Sequence, residues 1–145
     1  MKVRIVSGGR DYQDREHVWR VLDEEKPDLV VYGGCACLLC KGRGEFLEDQ
    51  DWYRCGLCGG TGMTGAARWV YRWALVNGVA VHAYPAQRGA CGQEAEWMRD
   101  VTMARQYRGY VDGEWILFPG TDDVASSAKA AQQYLLTVRD ERWSV

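Results

Sequence analysis

The stretch Val3-Arg4-Ile5-Val6-Ser7-Gly8-Gly9-Arg10-Asp11-Tyr12 sets the terms for the rest of the chain. A short β-branched run ends in a glycine pair, which reads as a buried strand entering a tight turn. The pattern then recurs. Leu29–Tyr32 runs into Gly33-Gly34, Val79–Tyr84 is ended by Pro85, and Trp115–Phe118 runs into Pro119-Gly120-Thr121. Each is short, apolar and followed by residues that break a strand.

Helical spacing fills the intervals. Asp14 is placed to cap a helix through about Glu25, with Val18, Val21 and Leu22 on one face and Pro27 beyond its end. Thr64 is a candidate cap for a helix through about Val76. Ala66, Val70, Trp73 and Ala74 recur along it, and Asn77-Gly78 provides the stop. A third helix runs from about Glu94 to Tyr107, with Trp97, Met98, Val101 and Arg105 spaced along it. Asp122 or Asp123 caps a last helix through Gln133, and Tyr134–Val138 reads either as a fifth strand or as more of that helix.

Short apolar strands alternating with amphipathic helices specify an α/β fold. The expectation is a Rossmann-like, doubly wound parallel sheet of four or five strands, covered on both faces. In such sheets ligands bind beyond the carboxyl ends of the strands, where the strand order reverses. Ser7-Gly8-Gly9-Arg10-Asp11, Gly33-Gly34 and Pro119-Gly120-Thr121 are then expected to meet at one crevice. There Gly8, Gly9 and Gly120 would give backbone access. Arg10 would hold anionic groups, while Ser7, Asp11 and Thr121 would supply hydrogen bonds.

Composition bounds the alternatives. A chain of 145 residues suits one domain, 1–145, with a small appended unit. A formal charge of −2 does not favour nucleic acid or an anionic membrane. No apolar run approaches the roughly 20 residues that span a bilayer. Residues 1–9 lack the long apolar region of a signal peptide, so the cytosol is the expected compartment. The seven tryptophans fall mostly on helix faces and read as core. Trp69 and Trp73, one turn apart beside Arg68 and Arg72, can be read as a base-stacking surface but suit packing better.

One segment interrupts the alternation. Between 35 and 62 stand five of the six cysteines, including two copies of one spacing: Cys37-Leu38-Leu39-Cys40-Lys41-Gly42-Arg43-Gly44 and Cys55-Gly56-Leu57-Cys58-Gly59-Gly60-Thr61-Gly62. In a reducing compartment paired hooks of this kind favour metal over disulfides. Cys37, Cys40, Cys55 and Cys58 can supply four thiolates to one tetrahedral Zn²⁺, a closed and therefore structural site. Lys41, Arg43 and Arg54 are placed to offset its negative charge, and Glu45–Tyr53 is long enough for a small hairpin. Cys35 stands outside both hooks, as a spare thiol or a substitute for Cys37, and Cys91 is an isolated loop cysteine. The repeated motif resembles the cysteine-rich repeats of DnaJ-type chaperones, where two such repeats form one zinc centre.

Outside that segment the ordered motifs resemble the SLOG superfamily, specifically its small YspA/YpsA-related branch. The matching pieces are Gly8-Gly9-Arg10-Asp11-Tyr12, Gly33-Gly34, Thr64-Gly65-Ala66-Ala67 with Trp73-Ala74, Tyr84-Pro85-Ala86, Arg99-Asp100 with Met103, and Phe118-Pro119-Gly120. The resemblance implies a Rossmann-like fold that binds a nucleotide or nucleotide-derived ligand, as a sensor or a sequestering protein. It adds Arg99, as a second holder of anionic groups, with Thr64 and Asp100 to a ligand-binding set that already includes Gly33, Gly34 and Pro119. Relatives in that superfamily include the lonely-guy phosphoribohydrolases, which makes N-glycosidic or phosphoribosyl hydrolysis the alternative, with Asp11, Asp100 or Asp122 as the acid-base group. The glutamate of those hydrolases has no counterpart in Ala125–Ala128. A third reading makes the zinc unit an adaptor for a protein or nucleic-acid partner. A homo-oligomer remains compatible with all three.

Overall fold

The structure, a computed structural model, describes residues 2–9, 12–24, 26–34, 40, 43–58, 60, 65–85, 93–109, 113–120, 122–134 and 136–142. In chain order its elements are β1 (Val3–Ser7), α1 (Arg15–Glu24), β2 (Leu29–Gly34), β3 (Glu45–Glu48), β4 (Asp51–Arg54), α2 (Ala66–Asn77), β5 (Ala80–Pro85), α3 (Gln93–Tyr107), β6 (Gly113–Leu117), α4 (Asp122–Gln133) and β7 (Thr137–Asp140).

Five strands form one sheet in the order β5-β2-β1-β6-β7, and every neighbouring pair is parallel. The register aligns Ala83, Tyr32, Val6, Ile116 and Arg139 in a single row across the sheet. All five carboxyl ends therefore finish together. From β1 the chain winds outward through β2 to β5, then returns to the other side of β1 for β6 and β7. The order reverses between β1 and β6.

Alternation along the strands sends side chains to two cores. On one face Val6, Val30, Tyr32, Ile116 and Phe118 pack against Val18, Val21 and Leu22 of α1 and Trp69, Val70 and Trp73 of α2. On the other, Val3, Ile5, Val31, Trp115 and Leu117 pack against Met103, Ala104 and Tyr107 of α3 and Val124, Ala130 and Ala131 of α4. This is the doubly wound arrangement that the alternating pattern specifies.

The buried indoles each find a partner, as burial of an N–H requires. Trp73 Nε1 donates to Asp23 at 2.8 Å, Trp69 Nε1 to the Tyr12 carbonyl at 3.1 Å, and Trp115 Nε1 to Ser7 Oγ at 2.9 Å. Trp69 and Trp73 are thus core residues.

Several boundaries differ from the sequence expectation. The N-cap of α2 is Gly65, with no side-chain cap, and the Ala66 N–H donates instead to the Gly9 carbonyl. Thr64 lies outside the described residues. Gly78 ends α2 as expected, in the left-handed conformation (φ 64°) with its N–H on the Ala74 carbonyl. In α3 the inward stripe is Asp100, Met103, Ala104 and Tyr107, and Met98 points to solvent. The last strand begins at Thr137. Tyr134 and Leu136 still donate to the carbonyls of Ala130 and Ala131, so the apolar end of that stretch closes α4 and packs on the core.

Candidate functional site

The cysteine segment enters between β2 and α2. Its hairpin pairs β3 with β4 in antiparallel register, Glu45 to Arg54 and Glu48 to Asp51. The two-residue turn has Asp49 and Gln50 both at positive φ, as a tight hairpin of this hand requires. At its base Cys40, Cys55 and Cys58 are buried, and their sulfur atoms all lie within 4.8 Å of one another. Cys40 Sγ and Cys58 Sγ are 3.7 Å apart. Three buried thiols at this spacing can bind a metal ion. Cys37 and Cys35 lie outside the described residues, as does Cys91.

The local fold explains the glycines of the repeat. The Gly44 N–H points at Cys40 Sγ, 3.1 Å away, and the Gly44 carbonyl accepts from the Cys55 N–H at 2.9 Å. Gly44 has φ 80°, and a Cβ there would stand 2.5 Å from the Gly60 carbonyl oxygen. The two hooks therefore press together backbone to backbone. Phe46 covers the sulfurs from the hairpin. A cation outside the three expected beside the thiolates, Arg68 of α2, donates to the Leu57 carbonyl inside the second hook at 3.3 Å and lies over the Trp69 ring. It ties the insert to the sheet domain.

At the carboxyl edge the turns after β1 and β6 do meet. The Gly9 N–H donates to the Pro119 carbonyl at 2.9 Å, and the Phe118 N–H to the Ser7 carbonyl at 2.8 Å. A Cβ on Gly9 would lie 2.9 Å from the Gly120 Cα, and one on Gly120 would lie 2.2 Å from Val124 Cγ2. Gly8 backs onto Ala66 and Phe118. These glycines are explained first by loops closing on each other at the reversal point. Ser7 is buried, and its hydroxyl accepts from Trp115. Arg10, Asp11 and Thr121 lie outside the described residues.

Gly33 has a different neighbour. The Arg99 side chain from α3 lies across it, its Nε only 2.5 Å from where a Cβ would stand. A guanidinium is thereby held at the carboxyl end of β2, beside Gly34. Arg99 Nε and Nη2 each approach Asp100 Oδ1 at 3.4 Å. Asp100 itself is fully buried, its other oxygen accepting from Ser126 at 2.9 Å and Ser127 at 3.1 Å. Burial raises its pKa above the usual carboxylate range, against the opposing pull of Arg99 and the two hydroxyls. The carboxylate joins α3 to α4 and faces those serines. The side chain of Asp122 is not described; its backbone begins α4.

One cluster has no signature in the sequence. His17, at the start of α1, shares one ring nitrogen with the Tyr12 hydroxyl and the other with Glu141, which follows β7. The Tyr12 ring stacks on Phe118, and His17 meets Phe118 edge-on. Burial raises the Tyr12 pKa, helped by Asp14 and Glu141 and opposed by Arg20, so the phenol stays protonated. The chain Tyr12–His17–Glu141 fastens the turn after β1 and the residue after β7 to the same helix.

Comparison with known proteins adds little. No family model matches the chain, and no curated protein does. Among solved structures it is similar to a glycoside hydrolase at 10% identity and a TM-score of 0.35, and to a family 5 glycoside hydrolase from Bacteroides vulgatus ATCC 8482 at 10% and 0.32. Each alignment covers 97% of this chain and 36% of the other, so the chain spans about a third of their length. Likeness at this level carries no functional inference. No helix among the described residues is long and apolar enough to cross a membrane.

Proposed function

We infer that this chain binds a nucleotide or nucleotide-derived ligand at the carboxyl edge of its sheet, in the manner of the SLOG superfamily, and that a structural zinc ion locks the insert beside that edge. The observation that carries the ligand reading is the meeting of the β1 and β6 turns where the strand order reverses, with the Arg99 guanidinium held over Gly33 one strand away. Open α/β sheets take their ligands at that point. An arginine suits the phosphate of such a ligand, since its planar fork can grip two oxygens.

The zinc reading is supported by the sulfur geometry. A tetrahedral ion with Zn–S bonds of about 2.3 Å has S···S edges of about 3.8 Å. The Cys40–Cys58 separation of 3.7 Å matches that edge, whereas a disulfide would bring the sulfurs to about 2.05 Å. Three thiolates, with Cys37 as the fourth by the repeat, suit a borderline-soft ion in a closed site. The residues hold the metal and the metal holds the hairpin; no reaction step is assigned to it.

Of the three candidate acid-base groups, Asp100 is sealed between α3 and α4, which counts against hydrolysis through that carboxylate. Isothermal titration against a panel of nucleoside mono-, di- and triphosphates and nucleoside diphosphate sugars tests the reading. At least one member should bind, and Arg99→Ala should weaken it about tenfold or more, the scale of a lost charge-assisted pair. Silence across the panel, in protein shown to be folded, contradicts it. Release of free base during the same incubation would favour the hydrolase reading.

A further inference from the structure

Arg99 and Asp100 are neighbours in α3, and burial ties them into one unit at the carboxyl edge. The Arg99 side chain is 8% exposed and that of Asp100 is 0%. Arg99 lies flat across Gly33, where a Cβ would meet its Nε at 2.5 Å, its Cδ at 2.6 Å and its Cζ at 3.0 Å. Nε and Nη2 both face Asp100 Oδ1, each at 3.4 Å. A charge-assisted pair ordinarily closes to about 2.7–2.9 Å, so the guanidinium stands close to the carboxylate without being locked to it. Among the described residues the other edge of its fork, Nη1 with Nη2, has no partner.

The two oxygens of Asp100 are held differently. Oδ2 accepts from the hydroxyls of Ser126 at 2.9 Å and Ser127 at 3.1 Å, which are neutral donors. Oδ1 faces the guanidinium. Among the described residues Arg99 of α3 is the one charged group that acts on Asp100; α4 brings the two serines, and no strand of the sheet brings a charge. A buried carboxylate with one counter-ion depends on that ion to stay ionised. While it is ionised it also neutralises Arg99, and the pair then has little net charge to offer an anion.

We propose that Arg99 is shared between Asp100 and the ligand, so that a phosphate group arriving at Arg99 makes Asp100 take up a proton. Arg99 stays cationic and exchanges one anionic partner for another, while the carboxylate becomes a carboxyl with a proton from solvent. Ser126, which is partly exposed and bonded to Oδ2, is the route for that proton. The inference rests on the nucleotide reading, because there Arg99 grips the phosphate. It makes Asp100 a positioning residue that sets how far Arg99 is available. The sign follows from the exchange: the complex holds the Asp100 proton more tightly than the free protein does. Affinity is then highest where Asp100 is already protonated, and falls by up to about tenfold per pH unit between the midpoint of the free protein and that of the complex.

Carboxyl carbon NMR of the full chain tests it, with the Asp100 signal assigned through its backbone and with inorganic phosphate and AMP as the probes. The Asp100 titration midpoint should rise when either probe binds. It should rise in Arg99→Ala without any probe, and the probes should then move it no further. The affinity profile for AMP carries the phosphate's own ionisation, at about pH 6, in every variant, so comparison with Asp100→Asn isolates the carboxylate. The two proteins should bind AMP alike at acid pH, and Asp100→Asn should bind it about tenfold or more tightly where Asp100 is ionised, the scale of a freed charge-assisted pair. A purely structural role for Asp100 would shift affinity equally at every pH. If a variant fails to fold, the two probes on the parent protein decide alone. Binding that leaves the Asp100 midpoint where it was overturns the proposal and leaves the nucleotide reading standing. An unchanged midpoint in folded Arg99→Ala overturns it too, as does an affinity ratio that is flat with pH. Failure of both probes to bind also overturns it, and the nucleotide panel then judges the wider reading separately.

Discussion

His17 Nε2 lies 2.9 Å from Glu141 Oε1, although the two residues are 124 positions apart. The contact joins the start of α1 to the end of β7, and both side chains are largely buried. Glu141 also meets Arg139 at 3.1 Å, and Arg139 reaches Glu24 at the end of α1 at 2.7 Å. The edge strand is therefore held to the sheet by its own ladder and to α1 by a polar network. Glu141→Ala would leave a ring N–H of His17 without its acceptor in a nearly closed site. A loss of about 1–3 kcal/mol is expected, read from urea denaturation. An unchanged midpoint would show that the network adds nothing.

The closest backbone approach at the carboxyl edge makes a second prediction. A methyl on Gly120 meets Val124 Cγ2 at 2.2 Å and the Gly9 backbone at 2.8–2.9 Å. Val124 is buried in the core, and the Gly9 backbone cannot retreat without breaking its bond to Pro119. Gly120→Ala should cost about 1–3 kcal/mol by overpacking. Gly109→Ala, where a Cβ meets nothing within 4 Å, is the control and should be close to neutral. Similar melting temperatures for the two variants would mean that the loops are not closed against each other.

Asp100 and Asp140 should give stability profiles of opposite sign. Burial raises the Asp100 pKa, so the folded state holds that proton more tightly than the unfolded chain does. Its contribution is most favourable below the unfolded value, about 4, and is lost as pH rises through the folded value. The melting temperature of Asp100→Asn relative to the parent should therefore improve as pH rises above about 4. Asp140 is bound by Arg142 at 2.9 and 2.7 Å, and this pairing lowers its pKa. Its contribution is present above the unfolded value and is lost as pH falls through the folded one. Because that pair is partly exposed, its effect should be the smaller. A difference that stays flat with pH for Asp100→Asn would contradict the sealed environment.

The legible and illegible parts of this fold divide by the range of the interaction that decides them. β1, β2 and β6 are short apolar runs because both faces of a central parallel strand are buried, and such runs show in any reading. Gly78 is legible too, since a left-handed helix stop is a local demand. β7 is not. It is an edge strand of mostly exposed residues, Thr137 to Asp140, in which Val138 alone is apolar. The neighbouring apolar residues Tyr134 and Leu136 attract the assignment, yet they belong to the close of α4. The start of α2 is hidden for a related reason. Its first N–H is satisfied by the carbonyl of Gly9, far away in sequence, and its N-cap, Gly65, has no capping side chain.

The candidate site divides in the same way. Cys40, Cys55 and Cys58 are recognisable from spacing alone, because a hook around a metal is a local structure. Asp100 with Ser126 and Ser127, and Tyr12 with His17 and Glu141, depend on helices and strands that only the fold brings together. Arg99 has no periodic signature of its own, and its position over Gly33 is decided by the absence of a side chain on another strand.

The central claim is the zinc proposed at Cys40, Cys55 and Cys58, at the base of the hairpin. Elemental analysis of the full chain, purified in reducing buffer without added metal, tests it most directly. The expected result is about one zinc per chain, falling to background in Cys55→Ser with Cys58→Ser. Less than about half an equivalent of zinc in the parent protein, or an equal content in the double variant, would contradict the assignment.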